Sequence, residues 1–579
     1  MCGIFALMCD ADKSIIEKEF MKGKVRGPEY SSLDEINLVT SNHHFYMGFH
    51  RLAINGLNIA SHQPIIFNQI SLICNGEIYN YKQLYKMMNI NPTTDSDCEV
   101  IIHLYLRYGI EETLRMLDGV FAFVIYDITN IQEPKMVVGR DPFGVRPLYK
   151  AHSQYNAPFL GFASDMKMLN ELSSKEPGNI KIDFFKPGTY SVYKTREQIW
   201  VPEICEQSYN VISSTFLGDE TSVTIEEIEF NITRFLMSAV KKRVETTERP
   251  IACLLSGGLD SSLICSLVNR EVKIQTGKTI ETYSIGLAGS DDLKYARIMA
   301  EHLGTHHHEV VVTEKEMLDA IPQVIYNVET YDTTTIRASV GNYLIAKYIS
   351  EHSEAKVIFN GDGADELMGG YLYFHQCPDS IEFDKECKRL LTNIHNYDVL
   401  RSDKSIASNG LEARTPFLDR YFVQYYMSIH PNIRNHNYLK KCEKYLIRSA
   451  FSKVRFDGKQ LMPKEVIWRT KEAFSDGVSN DKEAWFETIN NFVKSSIFSN
   501  DSNYPEKEED IINMMIKEKN ITHNLPTTLE QLYYRLLFEK HFPNKGKIIP
   551  YFWMPTYGDT KDASARTLDI YKKVNKNKL

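Results

Sequence analysis

Apolar positions along the chain fall into two textures. Over residues 2 to about 195, short runs rich in β-branched and aromatic residues alternate with turn formers. Such runs occur at His44–Phe49, Ile70–Cys74, Phe121–Asp127, Met136–Gly139 and Thr189–Tyr193. Their length and composition predict β-strands, while Cys98–Tyr108 has helical spacing. This half therefore predicts an α+β domain built on antiparallel sheets. From about residue 225 the period changes. Ile225–Val244 predicts a helix, Ile251–Leu255 a strand, and Ser261–Val268 a helix that follows a glycine-rich turn. Further strands are expected at Ile280–Ile285, His308–Val312 and Lys356–Asn360. Strand-helix alternation predicts an α/β domain with a parallel sheet covered by helices. The polar stretch between the two textures reads as a linker. The expected division is 2–195, a linker over 196–224, a second domain over 225–555 and a polar tail over 556–579.

Composition narrows the function classes. The 579 residues are 43% hydrophobic and 25% charged, ordinary for a globular protein with more than one core. A net charge of −8 gives no reason to expect a nucleic-acid partner. No apolar run approaches the ~18 residues that span a bilayer, and no signal-peptide layout precedes Cys2. No membrane partner is expected, and the setting reads as cytoplasmic. Ten scattered cysteines without paired CxxC spacing suggest neither a disulfide scaffold nor a zinc site. Cys9, Cys74 and Cys98 read as core thiols. His306-His307-His308 would alternate faces in an extended segment, a poor arrangement for holding one ion.

The candidate chemistry begins at Met1-Cys2-Gly3-Ile4. Trimming of Met1 would leave Cys2 with a thiol and a free α-amine on one carbon. The thiolate is the nucleophile, and an α-amine titrating near ~7.7–8.0 is a proton acceptor at neutral pH. Three other segments fit hydrolysis of a primary amide. Arg51 ends a strand and suits a bidentate clamp on a carboxylate, with Leu52, Ala53, Ile54 and Asn55 following it. Asn75, Gly76 and Glu77 lie together in an expected turn. The Asn75 side chain and the Gly76 N–H are candidate oxyanion donors, and Glu77 or Asp97 is the candidate clamp for an ammonium group. Each piece has a plainer reading as a turn, a helix N-cap or a surface ion pair; the set points to a primary amide carried by an amino acid.

The second constellation is Leu254-Leu255-Ser256-Gly257-Gly258-Leu259-Asp260-Ser261-Ser262, between a strand and a helix. Its glycines permit close backbone approach, and its hydroxyls and the helix N-terminus favour a phosphate. The GK[ST] ending of the kinase-type loop is absent. Asp260 is a candidate magnesium ligand. A second loop, Asn360-Gly361-Asp362-Gly363-Ala364-Asp365-Glu366, follows another apolar strand, and Asp365 is the candidate second ligand.

These motifs carry a resemblance. Cys2-Gly3-Ile4, Arg26-Gly27-Pro28, Asn75–Asn80 and Gly139–Gly144 resemble the class II glutamine amidotransferases, which are N-terminal-nucleophile hydrolases. That likeness implies a sandwich of two antiparallel sheets between helices and a thioester on Cys2. The SGGLDSS segment resembles the ATP-pyrophosphatase loop. Together the motifs resemble the glutamine-hydrolysing asparagine synthetases from Cys2 to about residue 555, with further support at Glu329–Asp332, Gly410–Asp419, Glu443–Arg448 and Trp468–Gly477. The resemblance implies ATP with Mg2+, and aspartate and glutamine as the other substrates. It implies an internal passage for ammonia, and a homodimer. It also implies contacts to ATP from Leu254, Ser256, Gly257, Gly258, Asp260, Ser261, Ile285, Asn360 and Gly361. Thr335 and Arg337 would lie near the pyrophosphate, and Lys444 would bind the phosphates or the acyl-adenylate. Three residues depart from the family pattern: Glu29 replaces the usual aspartate, Asp362 the usual glutamate, and Ala364 a serine. Two rivals stay open at this level, a ring-closing enzyme of the β-lactam synthetase type and a sensor that binds glutamine or nucleotide without turnover.

Overall fold

The protein is represented by a computed structural model. It describes residues 1–37, 44–153, 159–175, 180–196, 199–210, 222–469, 485–498, 505, 507–558, 560, 562–568 and 571. Most of the expected Trp468–Gly477 motif, and parts of the expected linker and tail, lie outside the described residues.

The first half is a four-layer sandwich. One sheet runs β10-β8-β9-β1-β3-β2, formed by β1 (Gly3–Cys9), β2 (Tyr30–Asn37), β3 (His44–Arg51), β8 (Tyr149–His152), β9 (Leu160–Ala163) and β10 (Lys181–Phe184). The other runs β12-β11-β7-β6-β5-β4, formed by β4 (Ile65–Phe67), β5 (Ile70–Ile78), β6 (Gly119–Asp127), β7 (Lys135–Arg140), β11 (Thr189–Arg196) and β12 (Ile199–Ser208). Every pairing in both sheets is antiparallel. The period of two sorts the side chains of β1: Ile4, Ala6 and Met8 enter the layer between the sheets, while Phe5, Leu7 and Cys9 join the outer apolar layer. Helices cover the outer face of the second sheet. One of them, Val100–Met116, extends the expected Cys98–Tyr108 past a break at Gly109 (φ 77°).

Two sequence expectations need correction. The segment read as a linker contains β12, which pairs along β11 and closes the edge of the second sheet. Pro202, Glu203, Glu206 and Gln207 interrupt its apolar pattern, and only Trp200 is buried, because an edge strand has little to bury. Asn75-Gly76-Glu77 is not a turn but part of β5, paired with Val120–Ala122 of β6. A Cβ on Gly76 would stand 2.6 Å from the Val120 carbonyl oxygen, so glycine here serves close packing between strands and does not end one.

The second half is the expected parallel sheet, in the order β15-β14-β13-β16-β17. Its strands are β13 (Ile251–Leu254), β14 (Glu281–Gly286), β15 (His306–Val311), β16 (Val357–Phe359) and β17 (Glu412–Arg414). Apolar clusters cover both faces. Chain order reverses between β13 and β16, and in open α/β sheets such a switch point opens a crevice at the strands' carboxyl ends. The loop after Leu254 and the loop after Phe359 therefore meet there. The contact is close: a Cβ on Gly361 would stand 2.8 Å from the Ser261 nitrogen. Among the described residues no helix is long and apolar enough to cross a membrane.

Candidate functional site

The start of β1, the end of β3 and the end of β5 bring the first set of residues together. Cys2 Sγ lies 3.5 Å from the Leu52 carbonyl oxygen. Burial pushes this thiol up to about 11, and burial lowers the preceding Met1 ammonium to about 6. The Asn75 side chain is 1% exposed, and its Nδ2 has no hydrogen-bond partner. Native proteins rarely leave such a donor unpaired, so Asn75 Nδ2 is a candidate donor to a bound group. Arg51 lies beside this group, with its guanidinium turned into its own loop. It donates to the carbonyls of Asn58 (2.9 Å), Asn55 (3.4 Å) and Gly56. Asp97 opens the turn before the Val100–Met116 helix. It accepts from the Ile78 N–H at 2.6 Å, and burial raises its carboxyl to about 6. Glu77 accepts from Asn55 Nδ2 at 2.6 Å and pairs with Arg414 of the second domain at 3.2 Å. Burial, then Glu412 and Asp97, hold its carboxyl well above the usual range.

Buried charges join this site to the second domain. Arg26 donates to the Cys2 carbonyl at 3.0 Å and pairs with Asp165 (3.1 Å) and with Asp403 (2.8 Å). Burial opposes its charge, but the two aspartates outweigh burial and raise its pKa. Arg146 reaches the Ala413 carbonyl and lies 3.6 Å from Asp403 and 3.5 Å from Glu412. The Gly139–Gly144 motif aims it: the Asp141 carboxylate accepts the N–H groups of Phe143, Val145 and Arg146 and shapes the turn.

The second set lines one cavity at the switch point. Leu254, Ser256, Gly258, Asp260, Ser261, Ile285, Asn360, Gly361, Asp362, Asp365 and Lys444 all border it. Gly257 does not. It has φ +71°, and a Cβ there would stand 2.5 Å from the backbone of the helix Asp291–Leu303, so its part is to let the loop turn and pack closely. Within the loop, Ser261 Oγ accepts the Ser256 N–H at 3.2 Å and lies 3.0 Å from Ser256 Oγ. Lys444 has a left-handed backbone (φ 57°), and its ammonium stands 2.5 Å from both Asp260 Oδ2 and Asp365 Oδ1. A left-handed non-glycine residue costs about 1–2 kcal/mol, and it persists where surrounding contacts demand it. Asp260 Oδ1 is buried without a hydrogen-bond partner. Two hard carboxylates converging on a cation, one with an orphaned oxygen, fit a divalent ion such as Mg2+.

Further along the cavity wall, Arg401 pairs with Asp398 (2.9 Å) and Asp362 (3.2 Å). Burial works against its charge, and Asp362 and Asp398 overcome it, so its pKa is raised. Asn360 Nδ2 holds Asp362 Oδ2 at 2.9 Å. The shortened acid is therefore fixed on both oxygens. Two expected residues are elsewhere. The Thr335 hydroxyl bonds Asp332 at 2.7 Å, and neither Thr335 nor Arg337 borders the cavity. Arg337 is committed to Glu530 and Asp562, with contacts at 2.5 and 2.8 Å. Those acids are nearly 200 residues or more downstream, a pairing that no local motif signals. The neighbouring Thr334 does border the cavity, as do Arg469 and Tyr371. Arg469 lies within the Trp468–Gly477 motif, but nothing in the sequence distinguishes it from Lys471 two residues on.

Comparison with known proteins agrees with this geometry. The asparagine synthase family model matches residues 231–383 and 376–547, and a glutamine amidotransferase domain model matches 1–192. The asparagine synthetase [glutamine-hydrolyzing] of Bos taurus is 38% identical over 589 residues, covering 99% of each chain. The enzymes of that name from Gallus gallus and Homo sapiens are likewise 38% identical, again over 99% of each chain. With the thiol, the orphaned amide and the switch-point cavity in one chain, the protein belongs to the glutamine-hydrolysing asparagine synthetases.

Proposed function

We propose that the chain moves the amide nitrogen of glutamine to the side-chain carboxyl of aspartate through β-aspartyl-AMP, giving asparagine, glutamate, AMP and pyrophosphate. The observation that carries this reading is the buried, unpaired Asn75 amide on the strand whose Glu77 acts electrostatically on the Cys2 thiol, in a chain whose other half opens a phosphate-suited cavity.

In this reading Met1 is removed and the Cys2 α-amine accepts the thiol proton. The thiolate attacks the glutamine carboxamide, and the oxyanion is met by Asn75 Nδ2 and the Gly76 N–H. Ammonia leaves, a glutaminyl thioester remains, and water hydrolyses it to glutamate. Arg51 and residues 52–55 hold the amino-acid end of glutamine, with Glu77 and Asp97 beside its ammonium. The Ser256–Ser261 loop, Ile285, Asn360 and Gly361 hold ATP. Asp260 and Asp365 would hold Mg2+, which when bound neutralises phosphate charge. Lys444 supplies a compact cation to the departing pyrophosphate. Arg469 lines the same wall, whereas the commitment of Arg337 to Glu530 and Asp562 makes it a structural tie. The aspartate carboxylate attacks the α-phosphorus and expels pyrophosphate. Ammonia then attacks the acyl carbon and expels AMP, and in this reading Asp362 accepts the proton ammonia loses. Ammonia that left the protein would be protonated at neutral pH, so an internal route between the sites is part of the proposal.

The test is a single assay. The trimmed protein with aspartate, Mg·ATP and glutamine is expected to form asparagine and AMP in equal amounts. Glutamate release and ATP turnover without asparagine would point to another acceptor and overturn the assignment.

A further inference from the structure

The segment that leads into the nucleotide loop also grips the loop beside Cys2. Between the helix Ile225–Glu245 and β13, residues 246–250 run along residues 53–56 of the first domain. Arg249 Nε donates to the Ala53 carbonyl at 2.7 Å. The Glu248 N–H donates to the Ile54 carbonyl at 3.0 Å, and Glu248 Oε1 accepts the Gly56 N–H at 2.7 Å. Asn55 Nδ2 lies 3.4 Å from the Thr246 carbonyl. The Ala53 N–H goes to Glu29 Oε2 at 2.7 Å, and Glu29 Oε1 takes Arg249 Nη2 at 2.5 Å. Glu29 and Arg249 thus close a ring around both backbone groups of Ala53. The ring uses both carboxylate oxygens of Glu29.

The gripped loop is the one that faces the thiol. Leu52 offers its carbonyl to Cys2 Sγ, and Arg51 is seated on the carbonyls of Asn55, Gly56 and Asn58. Backbone groups held from outside set both positions. We propose that Glu248 and Arg249, which belong to the ATP-using half, are positioning residues of the glutamine site. They hold residues 52–56 in the shape that receives the amino-acid end of glutamine, and neither touches Cys2. The inference rests on the reading of residues 51–55 as the glutamine loop.

The experiment compares steady-state kinetics of full-length variants. Arg249→Ala is expected to raise the glutamine KM about tenfold, as for loss of a hydrogen bond to a charged group, with kcat little changed. Ammonia-dependent asparagine formation should stay within about twofold of the parent, because the nucleotide loop's own hydrogen bonds are untouched. Arg249→Lys keeps one donor for Ala53 and should recover part of the loss. Glu248→Gln keeps the acceptor oxygen and the fold, and should raise the glutamine KM about threefold through loss of charge alone. An unchanged glutamine KM in Arg249→Ala and Glu248→Gln, beside a raised KM in Arg51→Lys, overturns the positioning role and leaves the loop assignment standing. No KM change in any of the three overturns both. Glutamine- and ammonia-dependent rates that fall together with the melting temperature mark a purely structural contact and also overturn the inference.

Discussion

A thiol pushed up to about 11 is a poor nucleophile, and Cys2 is in that state while Met1 precedes it. Below that value the thiolate fraction rises tenfold for each pH unit. Alkylation of Cys2 in a chain that keeps Met1 should therefore climb about tenfold per unit from pH 8 to pH 10. The trimmed chain should react faster at pH 8. Mass-spectrometric labelling rates test this, and a plateau below pH 9 would show that burial does not hold the thiol. Lys444 shows a different residue-scale logic. Its ammonium neutralises two acids that otherwise lie together, and a glycine at position 370 makes room: a Cβ there would collide with both Lys444 and Asp365. The sequence held the identities of Cys2, Asn75, Asp260 and Lys444 because each stands in a compact motif. It did not hold the partners of Arg337, because an ion pair between distant segments leaves no local trace.

At the scale of elements, the two switch-point loops work as one object. Gly361 packs against the backbone of Asp260 and Ser261, and backbone atoms yield little. Gly361→Ala should force the loops apart and lower ammonia-dependent asparagine synthesis at least about tenfold, since small displacements at a reacting centre are costly. Glutamine hydrolysis should be spared. Separate assays of the two half-reactions check this, and equal losses in both would refute it. Strands β3, β5, β6, β7 and β11 of the first domain and β13 to β16 of the second were legible because burial gives them short runs rich in apolar, β-branched and aromatic residues, whereas β1 stood inside the Cys2 motif and was not read as a strand. The edge strand β12 escaped notice because Pro202 and its glutamates break the pattern and most of it is half-buried or exposed. Asn75-Gly76 looked like a turn because amide and glycine usually end strands, whereas here the missing Cβ serves close packing against β6.

At the scale of the molecule, the two domains are joined through buried charge. Asp403 faces Arg26 and Arg146, one of which also holds the Cys2 carbonyl. Removing one partner of a buried pair strands the other, at a cost of about 3–5 kcal/mol. Asp403→Ala should lower the melting temperature accordingly and impair both half-reactions together, unlike Gly361→Ala; calorimetry beside the two assays separates the cases. An unaltered melting temperature would mean the interface relaxes around the loss. The same interface sets a clock on biosynthesis. The Met1 side chain is 1% exposed, and its ammonium donates to the carbonyl of Leu411, 410 residues downstream. In the finished fold the terminal residue is therefore buried, while Cys2 is partly exposed. Ribosomes add about 5–20 residues per second, so residue 411 follows residue 1 by roughly 20–80 s. Removal of Met1, which the proposed role of the Cys2 amine requires, is expected to precede the docking of Leu411 against it.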